Sequence, residues 1–189
     1  MKIIDHKKYY IPQAMFLYQV IIASEPLLEL AVSKSTGKLL DYLKTHLEEE
    51  RGHEKWLADD LLSIGVDVKQ IPYNPIVGAM VGSQFYIINY ANPVAFLGYM
   101  AFLECHPLPM TEIEALEEIY GKDLIRTLRY HAVHDVDHGS DLKEFILNLD
   151  EKEQKLVKDN FLQTAEYYGR EMERIERTVP PYITEQKAA

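Results

Sequence analysis

One cysteine, Cys105, stands alone in 189 residues, so no internal disulfide can brace the chain, and this usage fits a reducing compartment. No uninterrupted apolar run approaches the roughly 20 residues that a membrane-spanning helix needs. The amino-terminal stretch MKIIDHKKYYIPQ lacks the apolar segment of a secretory signal. Together these absences predict a cytoplasmic protein with no membrane partner. Basic clusters are missing too: 20 Lys and Arg stand against 30 Asp and Glu, for a formal net charge of −10. That balance argues against nucleic acid as a partner, because phosphate recognition needs concentrated positive charge. Also absent are alternating β-branched strands, Asn-Gly hairpin signals, low-complexity tracts and repeats of 20–50 residues.

What is present is helical periodicity over nearly the whole length. With 47% hydrophobic residues the chain can bury a sizeable core, and it reads as a single helical domain over 1–181 with a mobile tail at 182–189. The expected architecture is an all-α bundle of about seven helices. Pro12 suits the first turn of a helix through Phe16, Val20 and Ile21, and Glu25-Pro26 interrupts it. Ser35-Thr36-Gly37 precede one long helix expected to run to a stop at Gly65. Residues 75–91 are apolar, and the small Gly78, Ala79, Gly82 and Ser83 suggest close packing in the centre of the molecule. Asn92-Pro93 starts a further apolar helix, Pro107 and Pro109 force a turn, and Thr111-x-x-Glu114 resembles a capping box. Two long helices, about 122–147 and 151–178, complete the set, and exposed faces on the last one allow a homodimer.

Chemistry concentrates in three places. His131, Asp135 and His138 follow the pattern His-x3-Asp-x2-His, which on a helix puts two imidazoles and a carboxylate on one face. Iron accepts that mixture of donors readily. The second cluster is His46-Leu-Glu48-Glu49-Glu50-Arg-Gly-His53-Glu54, in which Glu50 and His53 form the Glu-x-x-His pair used by carboxylate-bridged dimetal sites in helical bundles. Glu48 and Glu54 read instead as solvated surface. The third is Glu104, which ends an apolar helix where an unpaired buried carboxylate would be costly. Coordination would remove that cost; emergence into solvent before Pro107 would too. The candidate metal ligands are therefore Glu50, His53, Glu104, His131, Asp135 and His138. His46, Glu49 and His134 are alternative ligands or groups that orient them by hydrogen bonds, and His134 reads equally as an ordinary helix histidine. Thiolate is nearly absent, which makes structural zinc a poor match. Tyr86, Tyr90 and Tyr99 fall on central helices and are expected in the core or lining a pocket.

These motifs resemble the haem-oxygenase-like diiron oxidases, also described as iron-containing redox enzymes. The resemblance runs through His46-x-x-Glu49-Glu50-x-x-His53, the Asn92-Pro93 helix ending in Glu104, and His131-x3-Asp135-x2-His138. It implies a seven-helix haem-oxygenase-like bundle holding two Fe2+ ions, with dioxygen as co-substrate and a small fatty-acid or amino-acid-like molecule as substrate. Several members of the group carry a glutamate seven residues before the first-helix histidine, whereas this chain has His46 there. The first-helix carboxylate thus stays open between Glu50 and Glu49, and the second iron is expected to bind weakly if His46 replaces a ligand. Two other readings compete. A thiaminase-like, metal-independent enzyme on the same fold would use Cys105 as nucleophile and leave the histidine clusters unexplained. A non-catalytic iron-binding bundle would use the same donors without turnover.

Overall fold

The computed structural model describes residues 5–178, apart from the side chains of 135–138. Among these residues there are nine α-helices and no strand, two helices more than the periodicity suggests. They are α1 (His6–Ile21), α2 (Ser24–Lys34), α3 (Gly37–Glu50), α4 (His53–Leu62), α5 (Pro75–Tyr90), α6 (Phe96–Glu104), α7 (Met110–Tyr120), α8 (Lys122–Leu147) and α9 (Glu151–Thr178). Single 3₁₀ turns at Val68–Gln70 and Pro93–Ala95 precede α5 and α6. The expected tail at 182–189 lies outside the described residues.

The difference in helix number has local causes. The expected long helix between Ser35 and Gly65 is broken at Arg51-Gly52, where Gly52 takes φ +84°, a left-handed conformation that glycine adopts without steric cost. Gly65 does end the second half, at φ +80°. Upstream, Tyr9 leaves helical geometry (φ −124°, ψ 16°) within α1, so Pro12 falls in the first turn after a kink, where a missing N–H is tolerated. The break before α2 comes at Ile22-Ala23, and Pro26 sits in the first turn of α2.

Two Asn-Pro pairs start the central apolar helices in the same way. Asn74 accepts from the Ile76 N–H ahead of α5, and Asn92 accepts from the Val94 N–H at the turn leading into α6. The expected capping box at Thr111 does not form: α7 begins at Met110, and Pro109 precedes it with no side-chain cap.

Buried side chains form two hydrophobic clusters. One joins Phe16, Leu27, Leu28, Leu43, Met80, Phe96, Leu97, Tyr99 and Met172, drawn from α1, α2, α3, α5, α6 and α9. The other joins Tyr10, Ala14, Leu57, Leu61, Ile113, Leu116 and Leu124, from α1, α4, α7 and α8. Helix α8 runs from the second cluster, through Leu124, Ile125 and Ala132, into the first at Leu142. The seam between them therefore falls along the middle of α8.

Helices α6 and α9 approach so closely that a Cβ at Gly98 would lie 2.1 Å from the Val157 carbonyl oxygen. Beside this contact, Asn160 donates to Gln84 Oε1 (2.7 Å) and to the Ala95 carbonyl (2.8 Å), tying α9 to α5 and the turn before α6. This interlock satisfies amide groups that would be expensive to bury alone.

Two expectations for α5 are corrected. Tyr86 and Tyr90 point outward, at 64% and 78% exposure, while Tyr99 is buried. Gly82 faces open space and Gly78 lies under the Tyr73 ring, so the two glycines do not mark a close helix contact, whereas Ser83 accepts from Gln163 of α9 at 2.8 Å. The α1–α2 stretch His6–Lys34 is long and apolar enough, by length and composition, to cross a membrane, although it holds no unbroken apolar run of that length. Its Phe16, Val20, Leu27, Leu28 and Ala31 nevertheless pack into the first cluster.

Candidate metal centre

The break at Gly52 builds the first half of the site. Glu50 is the last residue of α3 and His53 the first of α4, so they meet across a turn instead of along one helix face. Their side chains still converge, with Glu50 Oε2 3.3 Å from His53 Nδ1. His131 reaches the same point from α8. One ligand atom from each of Glu50, His53 and His131 lies within 4.8 Å of the others. Metal–donor bonds of about 2.0–2.2 Å require donors at most about 4.4 Å apart, so small side-chain movements would close this set around one ion.

The nitrogen that His131 presents follows from its other bond. Its Nδ1 lies 2.9 Å from the Thr127 carbonyl, which can only accept, so Nδ1 carries the proton and Nε2 offers the lone pair. His53 is 3% exposed, and its ring meets His131 edge to face at 5.1 Å between centroids. Trp56, one turn after His53, covers it at 4.3 Å, and Tyr130 closes the side. No motif pointed to these two aromatic walls, although the i, i+3 spacing of Trp56 from His53 was visible.

The second half gathers around Glu104. Between Lys69 and Glu104 the sequence holds no charged residue. The Glu104 side chain does not emerge into solvent: it is 17% exposed, with Oε1 3.2 Å from His46 Nε2. Its Oε2 is buried and has no hydrogen-bond partner among the described residues. On its other side His46 places Nδ1 3.8 Å from Glu49 Oε2, and Tyr42 stacks over its ring. Helix α8 passes directly behind. A Cβ on Gly139 would lie 3.2 Å from Cys105 Cα, and the Cys105 thiol donates to the Gly139 carbonyl at 3.6 Å.

Charges connect the two halves. Burial alone would lower the His46 pKa, but Glu104, with Glu50 and Glu49, raises it to about 9. Burial would raise the Glu50 carboxyl, yet the neighbouring His53, His46 and His131 hold it below its ordinary range. His131 is lowered by burial and by the charge of His53, against the pull of the Thr127 carbonyl, Glu50 and Glu104. Burial and the Glu104 charge push the Tyr99 hydroxyl upward.

Of the sequence candidates, Glu50, His53, Glu104 and His131 are therefore drawn to one region, with Glu50 rather than Glu49 beside His53 and His131. His46, expected only as a supporting or alternative residue, is buried at its centre. His134 is exposed and lies against the Tyr130 ring, as an ordinary helix histidine would. Asp135 and His138 lie outside the described side chains.

The donor set suits a resident iron. Carboxylate and imidazole are its usual protein ligands, thiolate is represented only by a hydrogen-bonded Cys105, and Glu104 Oε2 is a buried acceptor with no hydrogen-bond partner among the described residues. No curated protein sequence matches. A domain of unknown function with a heme oxygenase-like fold, from Shewanella denitrificans OS217, superposes with a TM-score of 0.77 at 18% identity, covering 92% of this chain and 80% of that one. A TenA homolog from Pseudomonas syringae pv. tomato str. DC3000 superposes with a TM-score of 0.68 at 13% identity, over 90% and 80% of the two chains. The first likeness establishes the haem-oxygenase-like fold. A family model described as "iron-containing redox enzyme" matches residues 17–169, a span that holds both halves of the site, and the chain belongs to that family.

Proposed function

We propose that this protein is a non-haem diiron oxidase or oxygenase that uses dioxygen to act on a small organic substrate of fatty-acid or amino-acid-like class. The observation that carries this reading is the convergence of Glu50, His53 and His131 from three helices. These three would hold one Fe2+. Glu104 would hold a second with Asp135 and His138, which follow His131 by four and seven residues. When bound, the ferrous pair supplies the electrons that reduce dioxygen and the oxidising power that acts on the substrate.

The protein's own groups prepare the site. In the metal-free protein His46 holds a proton and balances the Glu104 carboxylate across 3.2 Å. Loading would release that proton, because Glu104 then faces another cation. His131 keeps its proton on Nδ1 and turns Nε2 inward. Trp56, Tyr130 and Tyr42 wall the imidazoles, limiting water where the donor charges act.

Anaerobic titration of the metal-free protein with Fe2+, followed by exposure to dioxygen, tests the reading. About two ferrous ions per chain are expected, together with dioxygen uptake that disappears in Glu50→Gln and His131→Gln. No iron retention, or retention without dioxygen uptake, overturns it. The second of these outcomes is the signature of a non-catalytic iron-binding bundle. The thiaminase-like alternative gains little from the site, because Cys105 is buried and spends its thiol proton on the Gly139 carbonyl.

A further inference from the structure

A buried carboxylate outside the ligand set is tied to the backbone beneath one of the ligands. Asp60 is 1% exposed, yet it lies on the same face of α4 as His53, two turns away. Its Oδ2 accepts from the backbone N–H of Thr127 in α8 at 2.7 Å. Its Oδ1 lies 2.8 Å from Arg126 Nη2, which reaches in from the surface and compensates the charge.

The place of this contact in α8 is unusual. Thr127 is the sixth residue of the helix, beyond the first turn whose N–H groups lack intrahelical partners, so Asp60 is not a helix cap. The carbonyl of that same residue accepts from His131 Nδ1 at 2.9 Å. Thr127 therefore has a side-chain partner on each of its backbone polar groups, one from α4 and one from the candidate ligand.

We propose that Asp60 is the positioning residue for His131: through Thr127 it fixes α8 against α4, keeps the His131 proton on Nδ1, and leaves Nε2 aimed at Glu50 and His53. This rests on the reading of Glu50, His53 and His131 as metal ligands. Helix α4 then supplies one ligand, His53, and the tether of another, so the separation of two ligands on different helices is set by a single rigid element. A carboxylate that orients a ligating histidine from behind is a common device in metal sites; here it acts through an intervening backbone residue.

The test uses the full chain. In metal-free protein, the ring-nitrogen shifts of His131 in proton–nitrogen NMR report which nitrogen carries the proton. Wild type is expected to show the Nδ1–H form at neutral pH. Asp60→Asn is expected to mix the two forms and to weaken Co2+ binding about tenfold or more. Asp59→Asn, at the exposed neighbour, is expected to change neither. An Nε2–H form in wild type overturns the proposal. So does an Asp60→Asn protein that melts earlier but keeps the wild-type His131 spectrum and binds Co2+ within about twofold of wild type. Should Asp60→Asn fail to fold, Asp60→Glu, which keeps the carboxylate but changes the length of the tether, is expected to mix the two forms, and a wild-type His131 spectrum with wild-type Co2+ affinity in that variant overturns the proposal. Failure of wild type to bind Co2+ at all counts against the metal-site reading itself, and the tautomer measurement in metal-free protein is independent of it.

Discussion

His46 and Glu104 meet at the centre of the fold, Nε2 to Oε1 at 3.2 Å, although they stand 58 positions apart in the sequence. In metal-free protein this contact makes stability depend on pH. Burial opposes the charge on His46, but Glu104 overrides it and lifts the imidazole from 6.5 to about 9. A group with a raised folded pKa contributes stability that is fully present below its unfolded value and is lost as pH rises through the folded value. Urea unfolding of metal-free protein is thus expected to show a loss between about pH 6.5 and pH 9. Its size is at most about 3 kcal/mol, since a tenfold change in proton affinity is worth ~1.4 kcal/mol. Glu104→Gln removes most of this dependence; an equally steep profile in that variant would contradict the pairing.

Gly52 determines how Glu50 meets His53. Its φ of +84° costs a β-carbon-bearing residue about 1–2 kcal/mol. Gly52→Ala should destabilise by about that amount in denaturant melts. It should also weaken Co2+ binding, because relief of the strain turns His53 away from Glu50. A variant with the stability loss but unchanged Co2+ affinity would show that the turn does not set the ligand geometry.

Gly98 has a different reason to be glycine. The backbone of α9 occupies the place of a side chain, with the Val157 carbonyl oxygen 2.1 Å from an added Cβ. Backbone cannot swing aside as a flexible side chain can, so Gly98→Ala is expected to cost about 1–3 kcal/mol or more by overpacking. Thermal unfolding reads the effect, and an unchanged midpoint would contradict the close approach.

Asn160 is expected to behave as a buried amide with obligatory partners. Asn160→Ala leaves Gln84 Oε1 and the Ala95 carbonyl without their donor, at a cost of about 1–3 kcal/mol. Replacing Gln84 as well should add less than the sum of the two single costs, because the two residues share one network. A double-mutant cycle in urea measures this directly.

Much of the site was legible as periodicity. His131 lies beside Glu50 and His53, all three of them candidates from the sequence, and Glu104, which the sequence leaves between coordination and emergence into solvent, is largely buried. The spacing of Glu50 and His53 predicts a pair along one continuous helix, but α3 ends at Glu50 and α4 begins at His53. The pair survives because the turn at Gly52 returns the chain towards the same region. A glycine between charged residues within a helical stretch was the available sign of that turn. No motif marks Asp60, yet its place in the buried series His53, Leu57, Asp60, Leu61 sets it on the inner face of α4. The outward turn of Tyr86 and Tyr90 had no such signal, since an apolar helix carries no polar face to indicate which side meets water.

The order of apolar and polar residues along the chain by itself determined the all-helical class, most of the breaks between helices, and which imidazoles and carboxylates stand close together along the backbone. Those features depend on interactions within a few turns, where helical spacing governs what can touch. Tertiary structure alone decided that His46 faces Glu104, that Glu50 rather than Glu49 joins His53 and His131, and that Asp60 holds the backbone beneath His131. Each of these depends on how far α3, α4, α6 and α8 are rotated and shifted against one another. That docking is set by packing of the two hydrophobic clusters as wholes, and no local spacing encodes it.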